Sequence, residues 1–285
     1  MKYIVTIIIA ITAIFFISPI VGSTPKPLRV FDSKLPIALD QQIIQPYPHS
    51  QNEATVPVMM YHYIRDIANP DSDRLGYNLS VSPALFEKQM KYLTDTGYQA
   101  ISPEDLILAM QGEYTLPDKP ILLTFDDGYE DFYTAAFPIL KLHGFKSTAF
   151  VITGFVSEPD NRYLTWKQIT ELDQSGLVTI GSHTVRHKDL TTDPHAWQEI
   201  ADSKKTLENA LGHPVTAFAY PGGAFNEQAA SLVEKAGYGI SFTTKFGIWH
   251  DYQNRFITTR VRAGNNLTMD QFAERLTGKF TAAKK

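Results

Sequence analysis

The sequence contains no cysteine among its 285 residues. This absence excludes disulfide bonds, thiolate zinc sites, iron–sulfur clusters and cysteine nucleophiles, so any metal must be held by histidine, aspartate or glutamate. An excess of positive charge is also missing, because 26 Lys and Arg residues stand against 30 Asp and Glu residues, for a net charge of −4. Such a chain has no general attraction for polyanions, and we expect no nucleic acid partner.

Composition divides the chain into three parts. Residues 1–22 hold a long apolar run behind a single lysine, which predicts an export segment, either cleaved as a signal peptide or kept as a membrane anchor. Residues 23–55 contain several prolines without sustained periodicity, which is typical of a linker. Residues 56–285 are expected to fold as one domain. The protein is therefore expected outside the cell or at its surface, touching a membrane only through the first segment, and its oligomeric state stays open.

Apolar runs alternate with helical periodicity along the third part, which predicts an α/β domain with a parallel sheet. About seven such units favour a distorted, TIM-barrel-like (β/α) barrel, although periodicity alone also fits an open sheet. The predicted strands are Val56–Tyr61, Pro120–Phe125, Thr148–Ile152, Val178–Gly181, Thr216–Ala219, Gly239–Phe242 and Phe256–Val261. The predicted helices are Pro83 to Gly97, Trp166–Leu172, His195–Leu211 and Glu227–Ala236.

Two adjacent carboxylates follow the second predicted strand. The apolar run that ends at Phe125 leads directly into Asp126, Asp127 and Gly128. Like charges at the margin of a core are unfavourable without a cation nearby. An Asp-Gly turn with both acids in water is the competing interpretation.

Two histidines four residues apart, His183 and His187, follow the fourth predicted strand. If the segment turns helically, both rings lie on one face and can bind the same ion. Taken alone, the spacing is weak evidence, and two unrelated surface histidines would be the better interpretation. In a barrel, however, the carboxyl ends of the strands meet at one mouth. One carboxylate of the acidic pair, together with His183 and His187, would then form an open metal site of the catalytic kind.

The fifth predicted strand ends in Tyr220, Pro221, Gly222 and Gly223. Glycines at that position allow the backbone to approach a ligand and leave N–H groups to stabilise an oxyanion. An ordinary Pro-Gly turn is the alternative.

Taken in order, Thr124-Phe125-Asp126-Asp127-Gly128, Ser182-His183-Thr184-Val185-Arg186-His187 and Tyr220-Pro221-Gly222 resemble the successive motifs of the polysaccharide deacetylase family. This family of carbohydrate esterases shares the NodB homology domain. The resemblance implies a (β/α) barrel that hydrolyses acetyl groups from N-acetylated sugars with a divalent metal, zinc being the first choice and cobalt or nickel the alternatives.

The same resemblance assigns roles to individual residues. Asp127, His183 and His187 would hold the metal, and Asp126 would be the general base that takes a proton from the attacking water. The backbone N–H of Gly222 would stabilise the oxyanion. Tyr220 and Pro221 would belong to the substrate-binding surface.

Two features of the family pattern are missing. Many members carry an Arg just before the third motif, which is thought to tune the base, and this chain has none there; Arg260 or Arg262 could supply the charge instead. Many members also carry a C-terminal Leu-x-His motif that supplies the general acid, yet no histidine follows His250. His62, in an early Tyr-His pair, resembles the branch that acts on poly-β-1,6-N-acetylglucosamine and is the expected acid, with His250 in reserve.

Other residues carry weaker hypotheses. Tyr129 and Trp166 could stack on sugar rings or simply pack at the rim. His49, His143, His195 and His213 are interpreted as structural or solvated residues.

We expect an exported, metal-dependent N-deacetylase that acts on an extracellular or cell-wall polymer of N-acetylglucosamine, in the first place poly-β-1,6-N-acetylglucosamine. A peptidoglycan or chitin-type deacetylase fits the same residues. A ferrous oxygenase also uses two histidines and one carboxylate. A catalytically inactive polysaccharide-binding surface protein would explain the missing arginine and histidine.

Overall fold

The structure is a computed structural model that describes residues 52–67, 71–159, 162–264 and 267–279. The strands in these ranges are β1 (Glu53–Thr55), β2 (Val58–Tyr61), β3 (Tyr63–Ile64), β4 (Ser80–Val81), β5 (Gln99–Ala100), β6 (Pro120–Phe125), β7 (Ser147–Val151), β8 (Val178–Ser182), β9 (Ala217–Ala219), β10 (Ile240–Phe246), β11 (Trp249–Asp251) and β12 (Thr258–Arg262). The α-helices are α1 (Arg74–Leu79), α2 (Pro83–Asp95), α3 (Pro103–Gln111), α4 (Phe137–His143), α5 (Trp166–Gln174), α6 (Ala196–Leu211), α7 (Glu227–Lys235) and α8 (Met269–Leu276). The predicted export segment at 1–22, and the predicted linker up to residue 51, lie outside the described residues.

Seven parallel strands close into a barrel. The order is β2, β12, β10, β9, β8, β7 and β6, and β6 pairs again with β2. The short strand β5 pairs in parallel with the first two residues of β6, Pro120 and Ile121. Strands such as β7 are buried along their whole length, as expected for a parallel sheet covered by helices on its outer face. The barrel prediction is therefore confirmed, and the open sheet is wrong.

Each of the seven predicted runs contains a barrel strand, with shifts of a few residues at the ends. The largest shift concerns the sixth run, because β10 extends to Phe246, four residues beyond the predicted end. The last run starts two residues late, because Phe256 lies in a 3₁₀ turn and β12 begins only at Thr258. The Asp251 carboxylate accepts hydrogen bonds from the N–H groups of Gln253 and Asn254. This local cap stabilises the turn where the apolar pattern suggested a strand.

The folded region begins earlier than the sequence suggested. Residues 53–55, expected in the linker, form β1, which pairs antiparallel with β11. His250 on β11 donates from Nε2 to the Val56 carbonyl at 2.8 Å. The residues just before β2 are therefore hydrogen-bonded to β11, the strand that precedes β12 in the chain.

Helices cover the barrel with the apolar faces that their periodicity predicted. Helix α2 follows Ser82, whose side chain accepts from the Leu85 N–H at 3.2 Å, and it buries Phe86, Met90 and Leu93. Each of the four predicted helices is present, with ends shifted by at most two residues. Within the described ranges, no helix combines the length and apolar character needed to cross a bilayer.

Candidate active site and metal centre

The carboxyl ends of β6 and β8 bring the predicted metal ligands together. The Asp127 Oδ1 atom lies 3.3 Å from His183 Nε2 and 3.4 Å from His187 Nε2. One ligand atom from each of the three residues lies within 4.8 Å of the others. Asp127 and His183 are buried, whereas the His187 side chain is 37% exposed. The three side chains predicted from distant parts of the sequence therefore form one cluster.

The hydrogen bonding of His183 fits a metal ligand. Its Nδ1 lies 2.7 Å from the Ala219 carbonyl, and because a carbonyl can only accept, the ring donates there and leaves the Nε2 lone pair facing Asp127. Burial alone would lower the pKa of His183, but the nearby Asp127 and Asp126 carboxylates outweigh it and raise the pKa. The cluster thus favours a positive charge between imidazole and carboxylate, and the residues present fit a divalent cation.

The two histidines lie close together, but the backbone between them does not form the helical turn that the sequence predicted. Residues 183–187 form an irregular loop in which Thr184 and His187 have φ values of +69° and +57°. The Thr184 hydroxyl accepts from the His187 N–H at 3.0 Å. Left-handed residues reverse the chain within this short segment, so both rings reach Asp127 without a helix.

Asp127 itself has a left-handed backbone, with φ of +73°. A non-glycine residue there is strained by about 1 kcal/mol or more. Gly128 follows with φ of +71°, and a Cβ on it would lie 3.3 Å from the Val151 backbone. The sharp turn after β6 directs both carboxylates to the barrel mouth, so the water-exposed Asp-Gly turn is wrong.

Asp126 is paired with Arg260, a residue on β12. The two side chains form a bidentate pair, with both N–O distances at 2.7 Å, and both are buried. Arg260 also donates to the Thr243 carbonyl and the Thr124 hydroxyl. Burial would raise the pKa of Asp126, but the Arg260 charge outweighs this effect and holds the pKa well below its usual range.

Arg260 supplies the positive charge beside Asp126 that the sequence could assign to no single arginine. Of the two arginines that the sequence offered, only Arg260 pairs with Asp126. Arg262 is exposed, and its carbonyl accepts from Arg275 at 2.7 Å.

His62 follows the carboxyl end of β2 and reaches the same mouth. Its Nε2 atom lies 3.8 Å from Asp126 Oδ2, and its side chain is 11% exposed. Burial lowers the pKa of His62 to about 4, against smaller opposing effects of Asp126 and Asp127. Its Nδ1 atom is buried without a hydrogen-bond partner among the described residues. His62 is therefore next to the predicted base, whereas the reserve candidate His250 is bonded to Val56 at the other end of β2.

Two residues of the third motif are buried. Tyr220 is fully buried, and its hydroxyl donates to the Phe256 carbonyl at 2.9 Å. Pro221 is also buried, so both side chains pack inside the protein in this structure, and their role in substrate binding stays a prediction. Gly222 is exposed with φ of +60°. Gly223 is the residue that needs to be glycine, because a Cβ there would lie 2.6 Å from the Thr244 backbone nitrogen.

Tyr129 belongs to a stack of aromatic rings beside Asp127. Its ring lies 3.8 Å from that of Tyr63 and 5.3 Å from that of Tyr163, both nearly parallel. Arg65 lies over the Tyr63 ring at 3.5 Å. The stacked neighbours leave little of the Tyr129 face for a sugar, which favours the rim-packing alternative. Trp166 is the first residue of α5 and packs half-buried against the core.

The remaining histidines lie away from this cluster. His143 contacts Glu87 at 2.9 Å and His213 contacts Asp173 at 3.0 Å, as expected for structural residues. His195 precedes α6 without a side-chain cap bond. His49 lies outside the described residues.

Comparisons with known proteins agree with this geometry. The profile of a family described as Polysaccharide deacetylase matches residues 113–241. YxkH of Bacillus subtilis (strain 168), which carries the name of a polysaccharide deacetylase, is 34% identical over 225 residues, covering 78% of this chain and 76% of that protein. The chain belongs to the polysaccharide deacetylase family. It is therefore an enzyme that hydrolyses N-acetyl amide bonds, and the oxygenase alternative is wrong.

A solved family structure has the same barrel. The Streptococcus pyogenes deacetylase PplD, in complex with acetate, superposes with a TM-score of 0.72 at 32% identity and covers 78% of this chain and 98% of its own. The poly-beta-1,6-N-acetyl-D-glucosamine N-deacetylase of Escherichia coli (strain K12) is 26% identical over 274 residues. That match covers 81% of this chain but 39% of the Escherichia coli protein.

Proposed function

We propose that this polysaccharide deacetylase removes acetyl groups from a polymer of N-acetylglucosamine, in the first place poly-β-1,6-N-acetylglucosamine, with a divalent metal. The observation that carries the proposal is the arrangement of Asp127, His183 and His187 beside a second acidic group, Asp126, and a second imidazole, His62. The cluster provides metal ligands, and its neighbours provide groups that exchange protons.

Asp127, His183 and His187 would hold the metal, with zinc as the first choice and cobalt or nickel as alternatives. A bound divalent ion supplies a Lewis acid that polarises the acetyl carbonyl and makes water more acidic. Three protein ligands leave coordination positions free, as in catalytic sites. The nitrogen and oxygen donors suit these first-row metals.

The side chains around the cluster handle the protons. Asp126 takes a proton from the water whose oxygen forms the new bond to the acetyl carbon. His62 is neutral before the reaction, because its pKa is about 4; it takes this proton from Asp126, 3.8 Å away, and passes it from Nε2 to the sugar nitrogen as the carbon–nitrogen bond breaks. The products are acetate and a free amine, and the proton that leaves the water balances the proton gained by the nitrogen.

Two further groups support these steps. Arg260 keeps Asp126 ionised and fixes its orientation through the bidentate pair. The Gly222 N–H donates to the acetyl oxygen as negative charge develops there.

Two observations favour the β-1,6-linked polymer. His62 follows the first barrel strand, where the resemblance to that branch placed the general acid. The Escherichia coli relative is named as a deacetylase of this polymer. A peptidoglycan or chitin-type substrate is the alternative outcome of the experiment below.

The case for an inactive binding protein rested on the missing arginine and the missing C-terminal histidine. Arg260 pairs with Asp126, and His62 lies beside the same carboxylate. Arg260 and His62 therefore supply the charge and the imidazole that the family motifs would otherwise provide, which favours an active enzyme.

We also propose that the protein is exported and acts outside the cell, where such polymers occur. This proposal rests on the apolar, uncharged run within residues 1–22. Whether that segment is cleaved or anchors the protein is decided by the mass and the membrane fraction of the protein from its native host.

The experiment that tests the function measures acetate release from N-acetylglucosamine oligomers of β-1,6 and β-1,4 linkage and from peptidoglycan fragments. Metal-free protein is supplied in turn with zinc, cobalt and nickel. We expect metal-dependent release that is fastest with the β-1,6 oligomer. Faster release from another substrate would reassign the polymer, and intact polymer binding without release under every metal would support the inactive alternative.

A further inference from the structure

The loop that carries both candidate metal-binding histidines is attached to a buried acid on the following helix. Glu199 lies in the first turn of α6, and only 1% of its surface is exposed. Its Oε2 atom accepts from the backbone N–H groups of Val185 and Arg186 at 3.0 and 2.7 Å. Its Oε1 atom accepts from Arg186 Nε at 2.8 Å. The carboxylate therefore reaches the middle of the loop.

This arrangement is more than an ion pair at the surface. The Arg186 side chain is 56% exposed, whereas that of Glu199 has no exposed surface. A buried carboxylate is unfavourable unless its oxygens are hydrogen-bonded, and the two backbone N–H groups supply bonds that no side-chain change in the loop removes. The start of a helix also favours a negative charge. The loop backbone therefore provides two of the hydrogen bonds that stabilise the buried Glu199 carboxylate.

The two residues that Glu199 holds lie between the two left-handed residues, Thr184 and His187. Such backbone angles persist only where the surroundings fix them. On the other side of the loop, the N–H groups of Thr153 and Gly154 donate to the carbonyls of Thr184 and Val185 at 3.1 and 2.8 Å. The loop carbonyls are therefore held by the segment after β7. The loop N–H groups at 185 and 186 are held by Glu199.

We propose that Glu199 is a positioning residue. It acts through the backbone of residues 184–187 and keeps the His187 ring close to His183 and Asp127, so that all three can bind one ion. This inference rests on the proposed metal-dependent function. Removing the carboxylate frees two backbone N–H groups, the left-handed residues relax, and the His187 ring leaves the cluster. Residues that orient metal ligands in this indirect way typically change metal affinity by about 10- to 100-fold when replaced.

The test compares zinc release in Glu199→Met, Arg186→Gln and Glu208→Met, because methionine has no oxygen that could still accept from the backbone N–H groups, as the amide of glutamine could. Glu208 is a matched control on the same helix, because its carboxylate also accepts from a backbone N–H, that of Val215 at 3.0 Å, but outside the site. Release is followed at a temperature where all three proteins are folded, by competition with a chromogenic chelator. The visible spectrum of the cobalt-loaded proteins reports ligand geometry.

We expect zinc release to be about 10 to 100 times faster in Glu199→Met, with a changed cobalt spectrum. Arg186→Gln should have a smaller effect, because both backbone bonds remain, and Glu208→Met should match the wild type. Release from Glu199→Met at the wild-type rate with an unchanged spectrum would overturn the inference. An effect of Arg186→Gln as large as that of Glu199→Met would also overturn it, since the guanidinium would then be the important group.

A measurement on the unaltered protein covers the case in which Glu199→Met does not fold. Amide hydrogen exchange should show that the N–H groups of Val185 and Arg186 are protected although they lie in a surface loop. Rapid exchange at both positions would contradict the attachment to Glu199. A wild-type protein that binds neither zinc nor cobalt would overturn the metal-dependent function as well, which distinguishes the two failures.

Discussion

The Arg260 guanidinium holds the Asp126 carboxylate at two points, with both distances at 2.7 Å and both side chains inside the protein. The pair connects the end of β6 with β12. In the barrel, β2 lies between these two strands and pairs with both. Neither charge has enough other partners to stay buried alone. The acid expected to act as the base is therefore also a structural element of the barrel mouth.

The first prediction concerns this pair. Asp126→Asn and Arg260→Gln should each lower the free energy of unfolding by about 3–5 kcal/mol, because each leaves a buried partner uncompensated. The double variant should lose clearly less than the sum of the two. Urea unfolding of the metal-free proteins measures the three values. Additive losses would show that the two groups do not stabilise each other.

Asp126→Asn should also retain its metal but lose turnover, since Asp127 and both histidines are unchanged. Because the variant is less stable, its activity must be measured well below its melting temperature. A folded Asp126→Asn protein as active as the wild type would refute the assignment of Asp126 as the base.

His62→Ala should reduce kcat by about 10²- to 10⁴-fold, the usual contribution of a positioned acid or base. Its metal content should be unchanged, because His62 is not part of the ligand cluster. His213→Ala is a suitable control, since that ring contacts Asp173 at the surface. If His62→Ala keeps the wild-type rate and pH profile, another group protonates the leaving amine.

His183→Ala and His187→Ala should each lose metal and activity together. Each change removes one of three protein ligands and leaves too few donors for tight binding. Metal analysis after dialysis against a weak chelator checks this, with His195→Ala as a control on a histidine outside the cluster. A full equivalent of zinc in either ligand variant would mean that the metal lies elsewhere.

His250 should make the stability of the metal-free protein depend on pH. Burial lowers the pKa of His250 to about 4, from about 6.5 in an unfolded chain, so between these values the unfolded state binds the extra proton. The stabilisation is complete above pH 6.5 and is lost as the pH falls towards 4, about 3 kcal/mol in total.

The measurement compares His250→Gln with the wild type by denaturant unfolding between pH 4.5 and 7.5. Glutamine keeps an N–H that can reach the Val56 carbonyl but does not titrate. The variant should therefore show a smaller loss of stability on acidification. Identical slopes for both proteins would exclude His250 as the source.

Tyr220→Phe separates the packing role of this residue from the substrate-binding role that the sequence suggested. The hydroxyl donates to the Phe256 carbonyl, which also accepts from Ser241 at 2.7 Å. Its loss should lower the free energy of unfolding by about 1 kcal/mol and leave KM unchanged. A raised KM at unchanged stability would restore the substrate-binding interpretation.

The barrel and the metal ligands were accessible from the sequence because both depend on short local patterns. Apolar runs such as 120–125 and the residues that immediately follow them carry the information. Helix α3 was overlooked although its Ser102 and Asp105 form a capping box that can be read from the sequence. Helix α4 was harder to find, because the π-helical turn Phe132–Ala136 precedes it and disturbs the 3.6-residue period.

The remaining features depend on contacts between distant residues. Arg260 and Asp126 are 134 positions apart, and no local pattern distinguishes Arg260 from Arg262. The burial of Tyr220 depends on the side of β9 on which its ring falls. The path of the 183–187 loop depends on Glu199, which belongs to the next helix. Periodicity contains no information about such pairings.

Three residues at the barrel mouth, Asp127, Thr184 and His187, keep backbone angles that glycine would adopt with less strain. Two of them, Asp127 and His187, nevertheless carry side chains that we propose as metal ligands. Substitutions that relieve local strain in order to raise heat resistance would therefore remove a proposed ligand at these positions. Stability has to be gained elsewhere in the barrel, because here it competes directly with activity.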